Sequence, residues 1–159
     1  MATGAPRGRL ELTVRDGSGA VVARRAARNL VVRNGAAVVA RLFSGAAGAQ
    51  PINQLRLGFA KEGGTPELKA LTPPNGAIAP EALRSTLKAS DFTIDTTSAD
   101  AVQVSISAAF HPTVDLNDVS EAGLFAADDL YNHVVFEPIS LKTGQDITFF
   151  WQVNFPFGR

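Results

Sequence analysis

The sequence predicts an all-β protein, an antiparallel β-sandwich of about eight strands with one short packed helix. Apolar and polar residues alternate along most of the chain, and a period of two is typical of extended strands. Residues 35–43 are the only convincing helix, whereas a βαβ fold would repeat helices between its strands. Fourteen glycines and nine prolines suit the many turns of such a fold.

The segment 119–159 has the strongest strand pattern and is predicted to form three strands. In the last of these, every second residue from Ile147 to Phe155 is apolar, and the residues between are polar apart from Phe150. A large ring on a uniformly apolar strand face is usually buried, so we expect Trp151 in the core. The alternative is a platform of exposed rings that stacks on sugars or bases.

The first thirty residues predict a β-hairpin. Residues 10–15 alternate between apolar and polar side chains, the sequence DGSG at residues 16–19 breaks the pattern, and residues 21–23 resume it. An Asp-Gly pair supplies the positive φ that tight hairpin turns require. Residues 29–32 (NLVV) extend the second strand or begin a third.

A single helix is predicted over residues 35–43. Asn34 is suited to cap its first turn, and Ser44 and Gly45 provide a stop signal. Val38 and Leu42 share one face at a spacing of four residues. A helix of about nine residues is marginal in water, so we expect it to pack on a sheet.

The middle of the chain contains further strands separated by one long irregular loop. Strands are predicted at residues 55–59, 91–94 and 102–110, with one or two helical turns within residues 81–88. Residues 61–83 hold too many glycines and prolines for a regular element. A loop of that length is usually functional or flexible, so we expect a contact surface there. We treat residues 1–159 as a single domain.

Composition limits the classes of function. With no cysteine, disulfides and thiolate metal sites are excluded. No stretch approaches the roughly 18 apolar residues of a membrane span, and the first nine residues lack the apolar segment of a secretory signal. We therefore expect a protein that is made in the cytoplasm and does not enter membranes.

Charge is distributed unevenly, although the whole chain is neutral. Residues 1–41 contain eight arginines and two acidic residues, a net charge of +6, and the rest contains seven basic and thirteen acidic residues, a net charge of −6. The arginines alternate with apolar residues, which is typical of a solvated strand face rather than a nucleic-acid site. A third interpretation is that basic and acidic parts of neighbouring copies meet.

The sequence contains no recognisable catalytic, metal or cofactor motif, so we expect no enzymatic activity and no cofactor. We place His111 and His133 at a rim or on the surface. The segment DLNDVSE at residues 115–121 lacks the oxygen ligand and glycine that a calcium loop needs at its fifth and sixth positions. Turn formation therefore explains Asp115 better than cation binding does, although a structural cation stays an alternative.

Two aromatic rings lie at the chain terminus. Phe155 and Phe157 would be exposed in a monomer unless they fold back or another subunit covers them. Together with the adjacent Arg24 and Arg25, they are the candidate residues of a subunit interface.

Several short motifs resemble those of a family of small bacteriophage virion proteins of the tail-fibre, collar and baseplate kind, also found in phage-tail-like particles. The motifs are NLVVRNG at residues 29–35, LRLGF at 55–59, SEAGLF at 120–125, LYNHVVFEPI at 130–139 and the closing strand. They span about residues 29–155 in the family's order. The chain departs from the family at Ala60, where a second glycine is common.

The resemblance implies a non-enzymatic structural subunit of a virion, assembled in the host cytoplasm, with other copies of itself and other virion proteins as partners. It leaves the position in the particle and the symmetry open. The alternative is a carbohydrate-binding β-sandwich module for attachment to a host surface, in which a glycan would be the ligand.

Overall fold

The computed structural model describes residues 7–158, and within them the strands form one nine-stranded antiparallel sheet. The expectation that the first residues carry no secretory signal concerns mainly residues 1–6, which lie outside the described residues. The strands are β1 (Arg7–Arg15), β2 (Val21–Val31), β3 (Gln54–Gly58), β4 (Arg84–Thr86), β5 (Phe92–Asp95), β6 (Ala101–Phe110), β7 (Leu116–Ala126), β8 (Asp129–Leu141) and β9 (Asp146–Pro156). Their order across the sheet is β4-β3-β7-β8-β2-β1-β9-β6-β5. The predicted fold class is confirmed, with nine strands rather than about eight.

The sheet curls until its two halves face each other, so the layers of the predicted sandwich are one continuous sheet. Strand β2 joins the halves, because it pairs with β1 along most of its length and with β8 only at Leu30 and Val31. Where the two ends of the sheet approach, the Ser85 hydroxyl on β4 donates to the Ala109 carbonyl on β6 at 3.3 Å.

The core fills the space between the two halves. Strand β9 contributes alternate buried residues from Ile147 to Val153, as its pattern predicts, and Trp151 is fully buried. The indole nitrogen of Trp151 donates to the side-chain oxygen of Asn29 at 3.3 Å, so the polar group of the buried ring has a hydrogen-bond partner. The prediction that Trp151 belongs to the core is confirmed.

The predicted hairpin forms between β1 and β2, although its turn uses a different glycine. Gly19 has a φ of 85°, and its amide donates to the Asp16 carbonyl at 3.0 Å. The carboxylate of Asp16 accepts hydrogen bonds from the amides of Ser18 and Ala20. The positive φ that was expected from the Asp-Gly pair is therefore supplied two residues later.

The α-helix, α1 (Arg33–Ser44), is the one α-helix of residues 7–158 and begins earlier than predicted. The cap position is Val32 and makes no side-chain cap, so the prediction that Asn34 caps the helix is wrong. Asn34 instead donates from its amide to Asp129 at 3.3 Å. Gly45 adopts a left-handed conformation and ends the helix, as predicted. α1 is too short to span a membrane, as are the other described helices.

Gly35 explains why α1 packs closely on the sheet. A Cβ at this position would overlap the backbone carbonyl of Tyr131 on β8. Only a residue without a side chain lets the two backbones approach to this distance. The predicted packing of the helix on the sheet is confirmed.

An irregular segment crosses the outer face of the sheet, and we call residues 59–79 the strap. It has no helix or strand until the 3-10 turn Pro80–Leu83, which is followed by β4 and a second 3-10 turn, Ala89–Asp91. The amide of Arg33 at the start of α1 donates to the Pro66 carbonyl at 2.7 Å and holds the strap, and the amide of Phe59 donates to the Thr72 carbonyl at 3.0 Å within it. The predicted loop is therefore irregular but packed against the protein.

The strap and α1 bury the outer faces of β7 and β8. Every residue from Val119 to Ala126 is buried, and so are Leu130 to Val134. Both faces of these central strands are therefore covered, unlike those of β9. A strand covered on both faces reads as a continuous apolar run rather than an alternation.

Candidate interaction surface

An apolar groove opens between α1 and the two facing halves of the sheet. Its volume is about 610 Å³. Val38, Val39 and Leu42 of α1 form one wall, and Ile94 of β5 lies on another. The remaining lining residues come mainly from the two halves of the sheet and the segments beside β3 and β4: Pro51, Ile52, Asn53, Leu87, Lys88, Ala89, Phe92, Val104, Ile106, Leu124, Tyr131, Val153 and Phe155. The space between the halves is therefore incompletely filled at this end.

Large apolar side chains are exposed along the same side of the molecule. Phe43, the residue after Leu42 in α1, is 95% exposed, more than any other large apolar residue described. Ile94 is 65% exposed, Leu42 42% and Val39 41%. An apolar patch of this kind on a protein surface indicates a contact site.

The two predicted interface rings have different environments. Phe155 is half-buried, packs against the core and lines the groove. Phe157 lies after β9 and is 50% exposed, and its amide donates to the Asp100 carbonyl at 2.9 Å. Phe155 is thus part of the apolar surface, whereas Phe157 is partly folded back beside β6.

The two predicted interface arginines also differ. Arg24 is exposed on β2, whereas the guanidinium of Arg25 is engaged within the molecule. It donates to the backbone carbonyls of Glu137 at 2.9 Å and Pro138 at 3.1 Å on β8. Arg25 therefore ties β2 to β8, a structural role that spacing along the chain did not reveal.

The solvated-face interpretation of the other N-terminal arginines agrees with their exposure. Arg9 and Arg28 are directly opposite on β1 and β2 and are exposed, as is Arg15. Arg9 lies 3.4 Å from the carboxylate of Glu11, a solvent-exposed pair that contributes little to stability.

A buried polar pair lies beneath the strap. A carboxylate oxygen of Glu121 accepts a hydrogen bond from the Thr72 amide at 2.8 Å, which fixes the strap to β7. Its second oxygen lies 3.8 Å from Nδ1 of His133 on β8. The side chains of Glu121 and His133 are only 2% and 3% exposed, so the prediction of a rim or surface position for His133 is wrong.

Glycines make room for these two side chains. A Cβ on Gly64 would lie 2.5 Å from Cε1 and 2.6 Å from Nε2 of His133, and a Cβ on Gly58 would overlap the carboxylate of Glu121. Neither ring nitrogen of His133 has a hydrogen-bond partner among the described residues. The strap therefore seals the pair from solvent by close packing.

Burial shifts the pKa values of the ionisable side chains at this site. It raises the pKa of Glu121, against the opposing effect of the backbone amides of Thr72 and Ala60. It lowers the pKa of His133 and raises that of Tyr131. In both members of the pair desolvation disfavours the charged form. A carboxyl and an imidazole could exchange a proton, but substrate cannot reach them in this conformation.

A second concavity has a volume of about 1120 Å³. It lies between the strap, the start of β7 and residues 135–138 of β8. Its carboxylates come from Glu62, Asp115, Asp118 and Glu137. Asp115 accepts hydrogen bonds from the amide and hydroxyl of Thr143, and these lower its pKa. Asp115 therefore stabilises the distant β8–β9 connection, and the expectation of a turn within residues 115–121 is wrong, since strand β7 begins at Leu116. Across residues 7–158, no three His, Cys, Asp or Glu side chains are grouped to hold a metal ion.

His111 is exposed, as expected. It follows the end of β6, and its Nδ1 lies 2.9 Å from the carboxylate of Asp146 at the start of β9; both side chains are largely in solvent. The two histidines therefore occupy opposite environments, one in water and one beneath the strap.

Comparisons of the chain with protein-family models, with curated proteins and with solved structures gave no match. Its function is therefore inferred from its own surface and chemistry.

Proposed function

We propose that this chain is a non-enzymatic structural subunit of a bacteriophage or phage-tail-like particle, where it acts through contacts with copies of itself and other particle proteins. The observation that carries the proposal is the apolar surface formed by the groove and the exposed end of α1. Phe43 is 95% exposed there. Burial of apolar surface is the main favourable contribution to most protein association, so a surface of this kind is suited to subunit contacts.

The short motifs described above support the class of assembly. They resemble those of small phage virion proteins in order and spacing, and they coincide with parts of the fold that hold α1 and the strap in place. The motif at residues 29–35 leads into α1, and the motif at residues 120–125 contains Glu121, which anchors the strap through Thr72.

Carbohydrate binding, the alternative, has less support. That function requires aromatic rings exposed on one face of the sheet. Trp151, the largest ring, is fully buried, and Phe150 on the opposite face of β9 is half-buried. The groove is lined almost entirely by apolar side chains, whereas a sugar needs several polar partners.

The proposal is tested on particles rather than on the isolated chain. Phage or phage-tail-like particles are purified from the strain that encodes the chain and analysed by quantitative mass spectrometry and by electron microscopy with a labelled antibody. We expect a fixed number of copies per particle and labelling at one location. Complete absence of the chain from intact particles would overturn the proposal. A glycan array on the purified chain is the matching test of the alternative.

A further inference from the structure

We infer that the groove receives the exposed end of α1 from a second copy of this chain, so that Phe43 of each copy enters the groove of the other. This inference rests on the proposed function and names the partner of the same surface. The contact is isologous: the same surface serves both copies, related by a two-fold axis near the end of α1.

The same face carries both the projecting side chain and the cavity that could receive it. Phe43 lies four residues after Val39, so the two share one side of α1, and Val39 lines the groove. Phe43 itself is not part of the lining and is 95% exposed, so it points outward. Because the projection and the recess lie side by side on one face, a two-fold axis lets Phe43 of each copy enter the groove of the other at the same time.

The size of the groove fits this occupant. Its volume of about 610 Å³ exceeds that of one aromatic ring, so it can accept Phe43 together with neighbouring side chains of α1. The lining residues are apolar with few exceptions. An inserted phenyl ring would therefore leave few polar groups without partners.

The apolar area agrees with what a stable dimer needs. The most exposed apolar side chains on this face are Val39, Leu42, Phe43 and Ile94. From their exposed fractions they present roughly 400 Å² per copy, at about 150–250 Å² for a fully exposed large side chain. Two copies would bury roughly 800 Å², close to the apolar share of an interface of about 1,600 Å².

The first experiment compares the wild-type chain with Phe43→Ser by sedimentation velocity over a range of concentrations. We expect the wild type to form dimers or larger even-numbered assemblies, and the variant to weaken the dimer at least about tenfold, as loss of a central aromatic contact does. The control is Val22→Ser, because Val22 is 51% exposed on β2 and does not line the groove. Fluorescence of the buried Trp151 verifies that each variant is folded.

The second experiment uses the absence of cysteine from the chain. A Phe43→Cys variant is mixed with an Ile94→Cys variant under mild oxidation, and the products are identified by mass spectrometry. We expect mixed disulfide dimers, with Val22→Cys as the control that gives none with Ile94→Cys.

Each outcome bears on the inference. A concentration-dependent dimer that Phe43→Ser weakens, with the mixed disulfide, supports it. A monomer at all concentrations overturns it, and so does a dimer indifferent to Phe43→Ser. A groove occupied by a different particle protein also overturns it. If the inference is overturned in one of these ways, the chain can still be found in particles. The proposed function is therefore tested independently of the dimer.

Discussion

Replacement of Gly64 by alanine would place a methyl group against the imidazole of His133. The new Cβ would lie 2.5 Å from Cε1, closer than real Cβ contacts, and the ring is buried and cannot retreat into solvent. Forced overpacking of this kind costs about 1–3 kcal/mol. We therefore expect Gly64→Ala to lower the free energy of unfolding by about 2 kcal/mol.

The neighbouring glycine provides a matched control. A Cβ on Gly63 would meet no atom within 4 Å, and its φ is not in the left-handed region. Gly63→Ala should therefore be neutral or stabilise by about 0.4–1 kcal/mol, because alanine restricts the unfolded chain. Both variants remove a glycine from the same strap, so they differ in the contacts of the new Cβ, which are closest to His133 and reach Leu68 at 3.0 Å.

Urea denaturation followed by the fluorescence of Trp151 measures the effect. Trp151 is the single tryptophan and is fully buried, so its signal reports unfolding of the core. With a slope of about 2 kcal/mol/M, the midpoint of Gly64→Ala should fall by about 1 M. In a His133→Ala background the same substitution should destabilise the protein much less, because the two closest contacts are gone and only the contact with Leu68 remains. Equal midpoints for Gly63→Ala and Gly64→Ala, or an undiminished cost without His133, would refute the steric explanation.

Two further predictions concern the same strands. Below pH 6.5, the ordinary value for histidine, the unfolded chain takes up a proton that buried His133 resists, so stability should fall as the pH drops. Glu121 acts oppositely: above its ordinary value of 4.5 the folded chain retains a proton that the unfolded chain loses, so stability falls as pH rises. Urea midpoints from pH 4.5 to 8 should thus favour Glu121→Gln over wild type increasingly as the pH rises, and a constant difference would contradict this. Gly35→Ala should lower the free energy of unfolding by about 3 kcal/mol, since its Cβ would meet the rigid Tyr131 backbone. Thermal melting measures this effect. The control is Gly17→Ala, whose melting temperature should equal that of the wild type because its Cβ would meet no atom within 4 Å.

Strands with one solvent-exposed face could be predicted from the sequence alone. In β9, and in β6 from Ile106 to Phe110, the alternation follows directly from burial of every second residue, and Trp151 lies where its pattern placed it. The helix was located for a similar reason, because Val38 and Leu42 recur at helical spacing. Its start was misjudged because Asn34, a residue suited to capping, instead bonds to Asp129 across the fold.

The buried environment of His133 could not be predicted by the same reasoning. Strand β8 has no solvent-exposed face at His133, since the strap, which is distant in sequence, covers it. A signal was nevertheless present. Gly58 and Gly123 leave space for Leu71 of the strap, which a Cβ would approach to 2.9 Å and 3.2 Å, and Gly64 in the strap leaves space for His133. Glycines outside turns indicate close approach of another segment, although they do not say which segment approaches.

The sequence by itself determined the β class, the position of the helix and the residues of the core in the strands that alternate, because local periodicity records which side of each element is buried. The tertiary structure alone decided that the strap covers Glu121 and His133, that Arg25 ties two strands together, and that a groove opens beside Phe43. These features depend on which distant segments meet when the sheet curls. Periodicity along the chain does not indicate which distant segments lie close together.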